Sequence, residues 1–204
     1  MSTATVSPIE RHNAEVPWWP VKRFTVEEYQ HLAEIGAIHE DDNLELLDGW
    51  LVPKMTKIPL RDGTIDVLHD LLREVLPRGW HVRCQNALVT PDSVPEPDLA
   101  VVRGTRGRYR GKHPTAADVS LVVEVADSSV TTDRVKGRIY ARAGVVEYWI
   151  VNLVDWRIER MTGPQPDGSF TRTEMFTVND RIPVALDGAV VVSLSLVELL
   201  TPPA

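Results

Sequence analysis

The sequence contains a single cysteine, Cys84, and no apolar run as long as a membrane span. One cysteine excludes an internal disulfide and favours a reducing compartment, so we expect a cytoplasmic protein. A spanning helix needs about 20 predominantly apolar residues, which argues against a membrane protein. Residues 1–15 lack a basic region followed by an apolar stretch, so we expect a flexible tail over residues 1–16 and no secretory signal.

The sequence also lacks the usual signatures of nucleotide, zinc and serine chemistry. No glycine-rich phosphate-binding motif follows a predicted strand, which gives no support to a nucleotide cofactor. The histidines are scattered without the spacing of zinc ligands. Ser128 and Ser129 lack the strand–turn–helix context of a serine hydrolase. Cys84 lies on an alternating strand and is interpreted as a core residue.

Positive charge is in the minority, with 22 Lys and Arg against 29 Asp and Glu and a net charge of −7. This balance argues against non-specific binding to nucleic acid, because Lys and Arg neutralise the phosphate backbone. Basic residues are nevertheless concentrated in one glycine-rich stretch: Arg103, Arg106, Arg108, Arg110 and Lys112. This stretch fits either a solvated loop or a local contact with nucleic acid.

The residues that are present indicate one mixed α/β domain over residues 17–204. The chain has 204 residues, 43% of them hydrophobic, which is enough to bury one core. Thr25 and Glu28 form a capping box ahead of a helix that Gly36 ends. Asp48-Gly49 between two apolar runs predicts a hairpin. We expect this helix and hairpin to form an N-terminal extension of a mixed sheet with flanking helices.

The remaining pattern alternates between helical and strand periodicity. Predicted helices include residues 65–76, 132–143 and 196–200, and predicted strands include 80–88, 98–102, 119–125, 147–152, 156–161 and 169–177. The strands that start at Asp98 and Val119 are apolar on both faces. We therefore expect them to be hydrogen-bonded neighbours at the centre of the sheet.

Three polar residues interrupt this apolar pattern: Asp98 at the start of a strand, Glu124 inside the next strand, and Lys136 on the following helix. A carboxylate among Val and Leu is costly to desolvate unless it has a metal or a cation as partner. Asp98 and Glu124, with the backbone carbonyl of Val125, are oxygen donors of the kind that hold Mg²⁺. A buried ion pair of Asp98 or Glu124 with Lys136 explains the pattern equally well.

Metal-assisted hydrolysis of a phosphodiester bond is the chemistry that these residues fit. Lys136 would orient the attacking water or stabilise the charge that develops on the phosphate. Asp133 lies three residues before Lys136 on the same helix face. It would either position Lys136 or interact with the positive end of the helix.

Four ordered segments of the sequence resemble the Uma2 family of restriction-endonuclease-like proteins. They are residues 45–49, residues 95–102, residues 121–129 followed by Asp133 and Lys136, and residues 140–151. The resemblance extends over about residues 17–200 and implies a nuclease core of the PD-(D/E)xK type. It also implies DNA as the substrate, Mg²⁺ or Mn²⁺ as the cofactor, and Asp98 and Glu124 as the two acidic metal ligands.

At other positions the sequence matches the family pattern in some places and departs from it in others. The superfamily usually has a lysine two residues after the glutamate, where this chain has Ala126. The family pattern instead carries a lysine on the next helix, which Lys136 matches. Glu45 and Gln85 match polar positions of the family and are expected to line the pocket. Family members often have a histidine at the start of the second helix, where this chain has Arg61.

Two functions from different classes remain open at this point. A magnesium-dependent DNA endonuclease is favoured by the retained Asp98, Glu124 and Lys136, because apolar residues would serve a purely structural core better. A non-catalytic binding or regulatory protein is favoured by the acidic charge and the missing histidine. We also expect a homodimer, as in many nucleases that cut both strands. Aromatic residues that exceed the needs of one core motivate this expectation: Trp18, Trp19, Tyr148, Trp149 and Trp156.

Overall fold

The structure, a computed structural model, describes residues 21–54 and 58–202. The predicted tail over residues 1–16 lies outside the described residues, as do Trp18 and Trp19.

The helices are α1 (Val26–Glu34), α2 (Pro59–Val75), α3 (Val130–Arg142) and α4 (Val197–Leu200). The strands are β1 (Leu44–Leu47), β2 (Trp50–Pro53), β3 (Trp80–Cys84), β4 (Leu99–Arg103), β5 (Val119–Ala126), β6 (Glu147–Asn152), β7 (Arg157–Pro164), β8 (Phe170–Phe176), β9 (Arg181–Leu186) and β10 (Ala189–Ser195). Short 3-10 turns cover Glu40–Asp42, Arg106–Tyr109 and Ala116–Asp118.

The central element is a six-stranded sheet with the order β3-β4-β5-β6-β7-β8. Strands β5 and β6 are parallel, and the other pairs are antiparallel, so the predicted mixed sheet is confirmed. Strands β4 and β5 are hydrogen-bonded neighbours, with Leu99 opposite Val123. This pairing also confirms the prediction drawn from the apolar character of both strands.

Each face of the sheet packs against a different layer, because successive side chains of a strand point to opposite faces. On one face, Val123 and Val125 join a core with Leu68 and Leu72 of α2 and with Ile182 of β9. On the other face, a second core lies beneath α3 and contains Val122, Tyr140 and Tyr148 among other residues. The central strands are therefore covered on both sides, as their composition predicts.

The N-terminal extension consists of α1 and the β1–β2 hairpin. The capping box of Thr25 and Glu28 is present. Asp48 and Gly49 form the turn, with φ values of 50° and 79°. The hairpin is attached to the segment 93–96, which leads into Asp98. Val94 N–H donates to the Leu46 carbonyl at 2.8 Å, Asp48 N–H donates to Ser93 Oγ at 2.9 Å, and Glu96 N–H donates to Glu45 Oε2 at 3.1 Å.

The structure differs from the predicted elements at several places, and α2 begins at Pro59 and not at residue 65. Strand β3 ends at Cys84 and does not reach residue 88, because Gln85 has a left-handed backbone with φ of 47°. The β9–β10 hairpin was not predicted, although Asp187-Gly188 at its turn is the same signal as Asp48-Gly49.

No helix in the described part of the chain is both long and apolar enough to cross a membrane. The single domain over residues 17–204 stays a prediction.

Candidate active site

Lys136 lies between two buried carboxyl groups. Its Nζ atom is 2.8 Å from Oε1 of Glu45 and 3.4 Å from Oε1 of Glu124. The residues are almost fully buried, with 7% of Lys136, 3% of Glu45 and 1% of Glu124 exposed. Helix α3, strand β1 and strand β5 each contribute one of these side chains. The predicted ion pair of Glu124 with Lys136 is present, and Glu45 is the closer partner.

The charges around Lys136 decide its protonation. Burial lowers the pKa of the Lys136 ammonium, but the charges of Glu124 and Glu45 outweigh burial, so the pKa lies above its usual value. Lys136 is therefore a permanent positive charge inside the protein at neutral pH. A permanent ammonium can stabilise a phosphate, but it cannot act as a base there.

Only one carboxyl oxygen of Glu124 accepts hydrogen bonds from the described residues. Its Oε1 accepts a hydrogen bond from Tyr140 Oη at 2.8 Å in addition to the contact with Lys136. Its Oε2 accepts no hydrogen bond within residues 21–54 and 58–202. Burial raises the pKa of Glu124 to about 8, although the charge of Lys136 lowers it, and the charges of Asp98, Asp133 and Glu45 raise it further. The Glu124 carboxyl group therefore takes up a proton more readily than an ordinary glutamate does.

Asp98 is held by an arginine at the start of α2. Nη2 of Arg61 lies 2.7 Å and 2.9 Å from the two oxygens of Asp98. Oδ2 of Asp98 also accepts the backbone N–H of Val125 at 2.8 Å. Arg61 Nε donates to the carbonyl of the same Val125 at 2.9 Å. Burial raises the pKa of Asp98, and the charge of Arg61 opposes that shift.

Asp98 and the Lys136 group form one charge cluster. Extending the Leu99–Val123 pairing by one residue brings Asp98 beside Glu124. The charge of Lys136 is one cause that lowers the pKa of Asp98, and the charge of Asp98 is one that raises the pKa of Glu124. We define the carboxylate cluster as five residues: Glu45, Arg61, Asp98, Glu124 and Lys136. Three carboxyl groups face two cations in it, and burial raises the pKa values of two of these groups, Asp98 and Glu124.

Gln85 lies apart from Lys136. Its backbone N–H donates to the Asp98 carbonyl at 3.0 Å, but its side chain lines an open cleft of about 840 Å³. The cleft is also lined by basic and aromatic residues that include Lys54, Tyr109, Arg110, Lys112 and His113. Glu96 lies on its wall and bonds to Glu45 through its backbone N–H. The cleft therefore adjoins the carboxylate cluster.

Asp133 has a local partner of its own. Ser129 Oγ donates to Asp133 Oδ2 at 2.6 Å, and Tyr148 Oη donates to the Asp133 carbonyl at 2.9 Å. These contacts lie in the first turn of α3. The role at the helix N-terminus, one of the two predicted for Asp133, is the one that these contacts match.

Two residues of the site were not among the predicted site residues. Tyr140 follows Lys136 by four positions, which puts both on the same face of α3 and is the signal that could have found it. Arg61 was noted only as a departure from the family pattern. Its contact with Asp98 depends on where α2 packs, and helical periodicity carries no information on that position.

The oxygen atoms at the cluster are of the chemical type that binds a divalent cation. Asp98, Glu124 and the Val125 carbonyl offer hard oxygen atoms, and Oε2 of Glu124 is free to bind within the part that the structure describes. No group of three or more His, Cys, Asp or Glu side chains among the described residues is arranged to hold a metal. A cation would therefore need the carbonyl and water in addition to the two carboxylates.

Two solved structures were compared with this fold. A crystal structure from Anabaena variabilis ATCC 29413, described as "a putative nuclease belonging to DUF820", is 16% identical, with a TM-score of 0.64 over 87% of this chain and 97% of that chain. The apo form of NucC from E. coli MS115-1 is 14% identical, with a TM-score of 0.29 over 39% of this chain and 38% of that chain. The first of these likenesses confirms the predicted nuclease-like α/β fold.

The sequence comparisons agree with the resemblance described above. No curated protein matches the sequence. The Uma2 family model, described as "Putative restriction endonuclease", matches residues 26–195 and confirms the predicted family. Together with the fold, this match supports a nuclease. The chain belongs to the Uma2 family.

Proposed function

We propose that this protein is a metal-dependent endonuclease that hydrolyses phosphodiester bonds of DNA. The observation that carries the proposal is the convergence of Asp98, Glu124 and Lys136 at neighbouring strand ends and on the covering helix. A purely structural core would gain from replacing such a cluster with apolar residues of similar volume. The family and the fold support the same function.

Asp98, Glu124 and the Val125 carbonyl are the groups that would hold Mg²⁺ or Mn²⁺. Bound there, the ion would supply Lewis-acid chemistry, polarising a phosphoryl oxygen and lowering the pKa of a water molecule. Lys136 would stabilise the negative charge on the phosphate through its ammonium group. Glu45 would hold Lys136 in position, and the Tyr140 hydroxyl would orient the carboxyl group of Glu124.

The open cleft beside the cluster is the proposed contact surface for DNA. Arg110 and Lys112 line it, and Tyr109 on its wall has the guanidinium groups of Arg83 and Arg108 each 5.6 Å from its ring. Arg110 and Lys112 would contact the phosphate backbone there, although the acidic residues Glu34, Glu40 and Glu96 also line the cleft. Binding through the two cations Arg110 and Lys112 predicts only a modest fall in the affinity for duplex DNA as salt is added.

A second function is favoured by one specific observation. The cluster is closed to solvent and its two cations pair with all three carboxyl groups, as in a core that is already complete. A non-catalytic binding or regulatory protein with a nuclease fold would have this arrangement. Such a protein would bind DNA or a partner through the cleft without cleaving it.

A cleavage assay separates the two functions. The protein is incubated with supercoiled, linear and single-stranded DNA in Mg²⁺ or Mn²⁺, next to Glu124→Gln and Asp98→Asn. Glu147→Gln is the matched control, because Glu147 is also buried and paired, with Arg160 at 2.8 Å, but lies outside the cluster. Cleavage that is lost in the two cluster variants and retained in Glu147→Gln supports the endonuclease. Absence of cleavage of every DNA form by the parent protein contradicts it.

We also propose that the protein is a cytoplasmic homodimer. Tyr148 and Trp149, which helped to motivate this prediction, are completely buried inside the core, so they do not supply an interface. The exposed Val190 and Val191 of β10 are apolar side chains that remain available at the surface. Light scattering at micromolar concentration tests the assembly, and a monomer mass throughout would contradict it.

A further inference from the structure

Strand β5 extends beyond the end of β4, so two backbone groups of Val125 have no partner strand on that side. Strand β4 begins at Leu99, which is opposite Val123, so the N–H and carbonyl of Val125 have no β4 residue to pair with. The Asp98 carboxylate accepts the N–H, and Nε of Arg61 donates to the carbonyl. Two side chains therefore continue the hydrogen bonding of the sheet where the strand stops.

Arg61 makes these contacts from a buried position. Its side chain is 11% exposed, and Nη2 touches both oxygens of Asp98 while Nε touches the Val125 carbonyl. A guanidinium stays charged at any pH that a folded protein meets, so it cannot leave by losing its proton. Asp98 and the Val125 carbonyl are also two of the three groups that the proposed function assigns to the divalent cation.

We propose that the guanidinium of Arg61 is the resident cation of the carboxylate cluster and competes with a divalent cation for Asp98 and the Val125 carbonyl. This inference rests on the proposed function for the identity of the competing ion. A metal ion binds at these oxygens only after the side chain of Arg61 has moved away. Arg61 thereby sets the metal concentration at which the site fills.

Removing the guanidinium should increase metal affinity. In Arg61→Gln the positive charge is lost, while the side-chain amide still offers a donor to Asp98. We expect Mn²⁺ to bind this variant at least about tenfold more tightly than the parent protein, because the ion no longer displaces a buried cation. Isothermal titration calorimetry measures this affinity independently of cleavage. Electron paramagnetic resonance, in which the signal of free Mn²⁺ decreases on binding, does so as well.

Two further variants serve as controls for the site and the charge. Arg61→Lys keeps the positive charge and should bind Mn²⁺ as weakly as the parent protein. The double variant of Arg61→Gln with Asp98→Asn should lose the gain in affinity, which separates this site from carboxylates elsewhere on the surface. Equal Mn²⁺ affinity in the parent protein and folded Arg61→Gln overturns the proposal.

Stability provides a second readout if the neutral variant folds poorly. Loss of Arg61 leaves Asp98 buried without its cation, so Arg61→Gln should melt at a lower temperature in the presence of a chelator. Mn²⁺ should restore much of that loss in Arg61→Gln and change the parent protein little. A variant that stays unfolded at millimolar Mn²⁺ would also contradict the proposal, because the ion then fails to replace the guanidinium.

Failure of this inference can be told apart from failure of the proposed function. Tight Mn²⁺ binding by Arg61→Gln without cleavage of any DNA supports the role of Arg61 and contradicts the endonuclease. Metal-dependent cleavage by the parent protein, with the same Mn²⁺ affinity in parent and Arg61→Gln, supports the endonuclease and contradicts the role of Arg61.

Discussion

Lys136 is closer to Glu45 than to Glu124, with Nζ–Oε1 distances of 2.8 Å and 3.4 Å. The nearest counter-charge of the lysine therefore comes from the β1–β2 hairpin and not from the central sheet. Glu124 is consequently not the only partner that keeps Lys136 buried.

Replacing Glu45 should destabilise the protein strongly. In Glu45→Gln the buried Lys136 loses its closest counter-charge, and breaking a buried pair costs about 3–5 kcal/mol of the free energy of unfolding. Denaturant unfolding measures the change. Glu96→Gln is the control, because Glu96 pairs with Lys54 at 2.7 Å on the surface side, where about 1 kcal/mol or less is expected. Equal losses in both variants would contradict the central role of Glu45.

Replacing Glu124 should change how stability depends on pH. Its pKa rises from an ordinary value of 4.5 to about 8 on folding, so the folded state holds the extra proton between these values. The contribution of Glu124 to stability is thus complete below pH 4.5 and is lost as the pH rises to 8. The slope reaches about 1.4 kcal/mol per pH unit at most.

Glu124→Gln, which resembles the protonated form, should lack this slope. Its stability relative to the parent protein should therefore rise between pH 5 and pH 8 and stay level above pH 8. Urea unfolding of both proteins at several pH values provides the test. A stability difference that does not vary with pH would show that Glu124 is not protonated on folding.

Tyr140→Phe tests the hydrogen bond to Glu124. Removing the buried hydroxyl should lower the free energy of unfolding by about 1–3 kcal/mol, because Oε1 of Glu124 loses a donor. Tyr148→Phe is the matched control, since Tyr148 is also fully buried and donates to the Asp133 carbonyl at 2.9 Å. Both variants should lose similar stability, but only Tyr140→Phe should weaken metal-dependent cleavage. An equal decrease of cleavage in both would contradict a role for Tyr140 at the site.

Gly137→Ala should destabilise α3, contrary to the usual effect of alanine in a helix. A Cβ atom at Gly137 would lie 3.0 Å from Cε1 of Tyr148, and that ring is fully buried and held by its own hydrogen bond. The crowding should cost about 1–3 kcal/mol. In α2, nothing lies within 4 Å of a Cβ at Gly63, so Gly63→Ala should instead stabilise by about 0.5–1 kcal/mol. Thermal or urea unfolding measures both, and a stabilised Gly137→Ala would show that Tyr148 can move.

The central part of the site could be predicted from the sequence. Asp98 and Glu124 interrupt apolar strands that are predicted to be neighbours, and Lys136 lies on the helix that follows. The partners from the N-terminal half could not be placed in the same way. Periodicity predicts the β1–β2 hairpin and α2, but the packing of separate elements decides that Glu45 reaches Lys136 and Arg61 reaches Asp98. The cleft beside the cluster depends on tertiary packing for the same reason.

The attachment of the β1–β2 hairpin to the segment 93–96 has a mechanical consequence. Three hydrogen bonds hold the hairpin to this segment, and Asp98 follows the segment by two residues. Lifting the hairpin to expose Lys136 would withdraw Glu45 from the ammonium and pull on the chain that carries the first carboxylate. Displacing the β1–β2 hairpin would therefore expose Lys136 and change the charge balance of the carboxylate cluster at the same time.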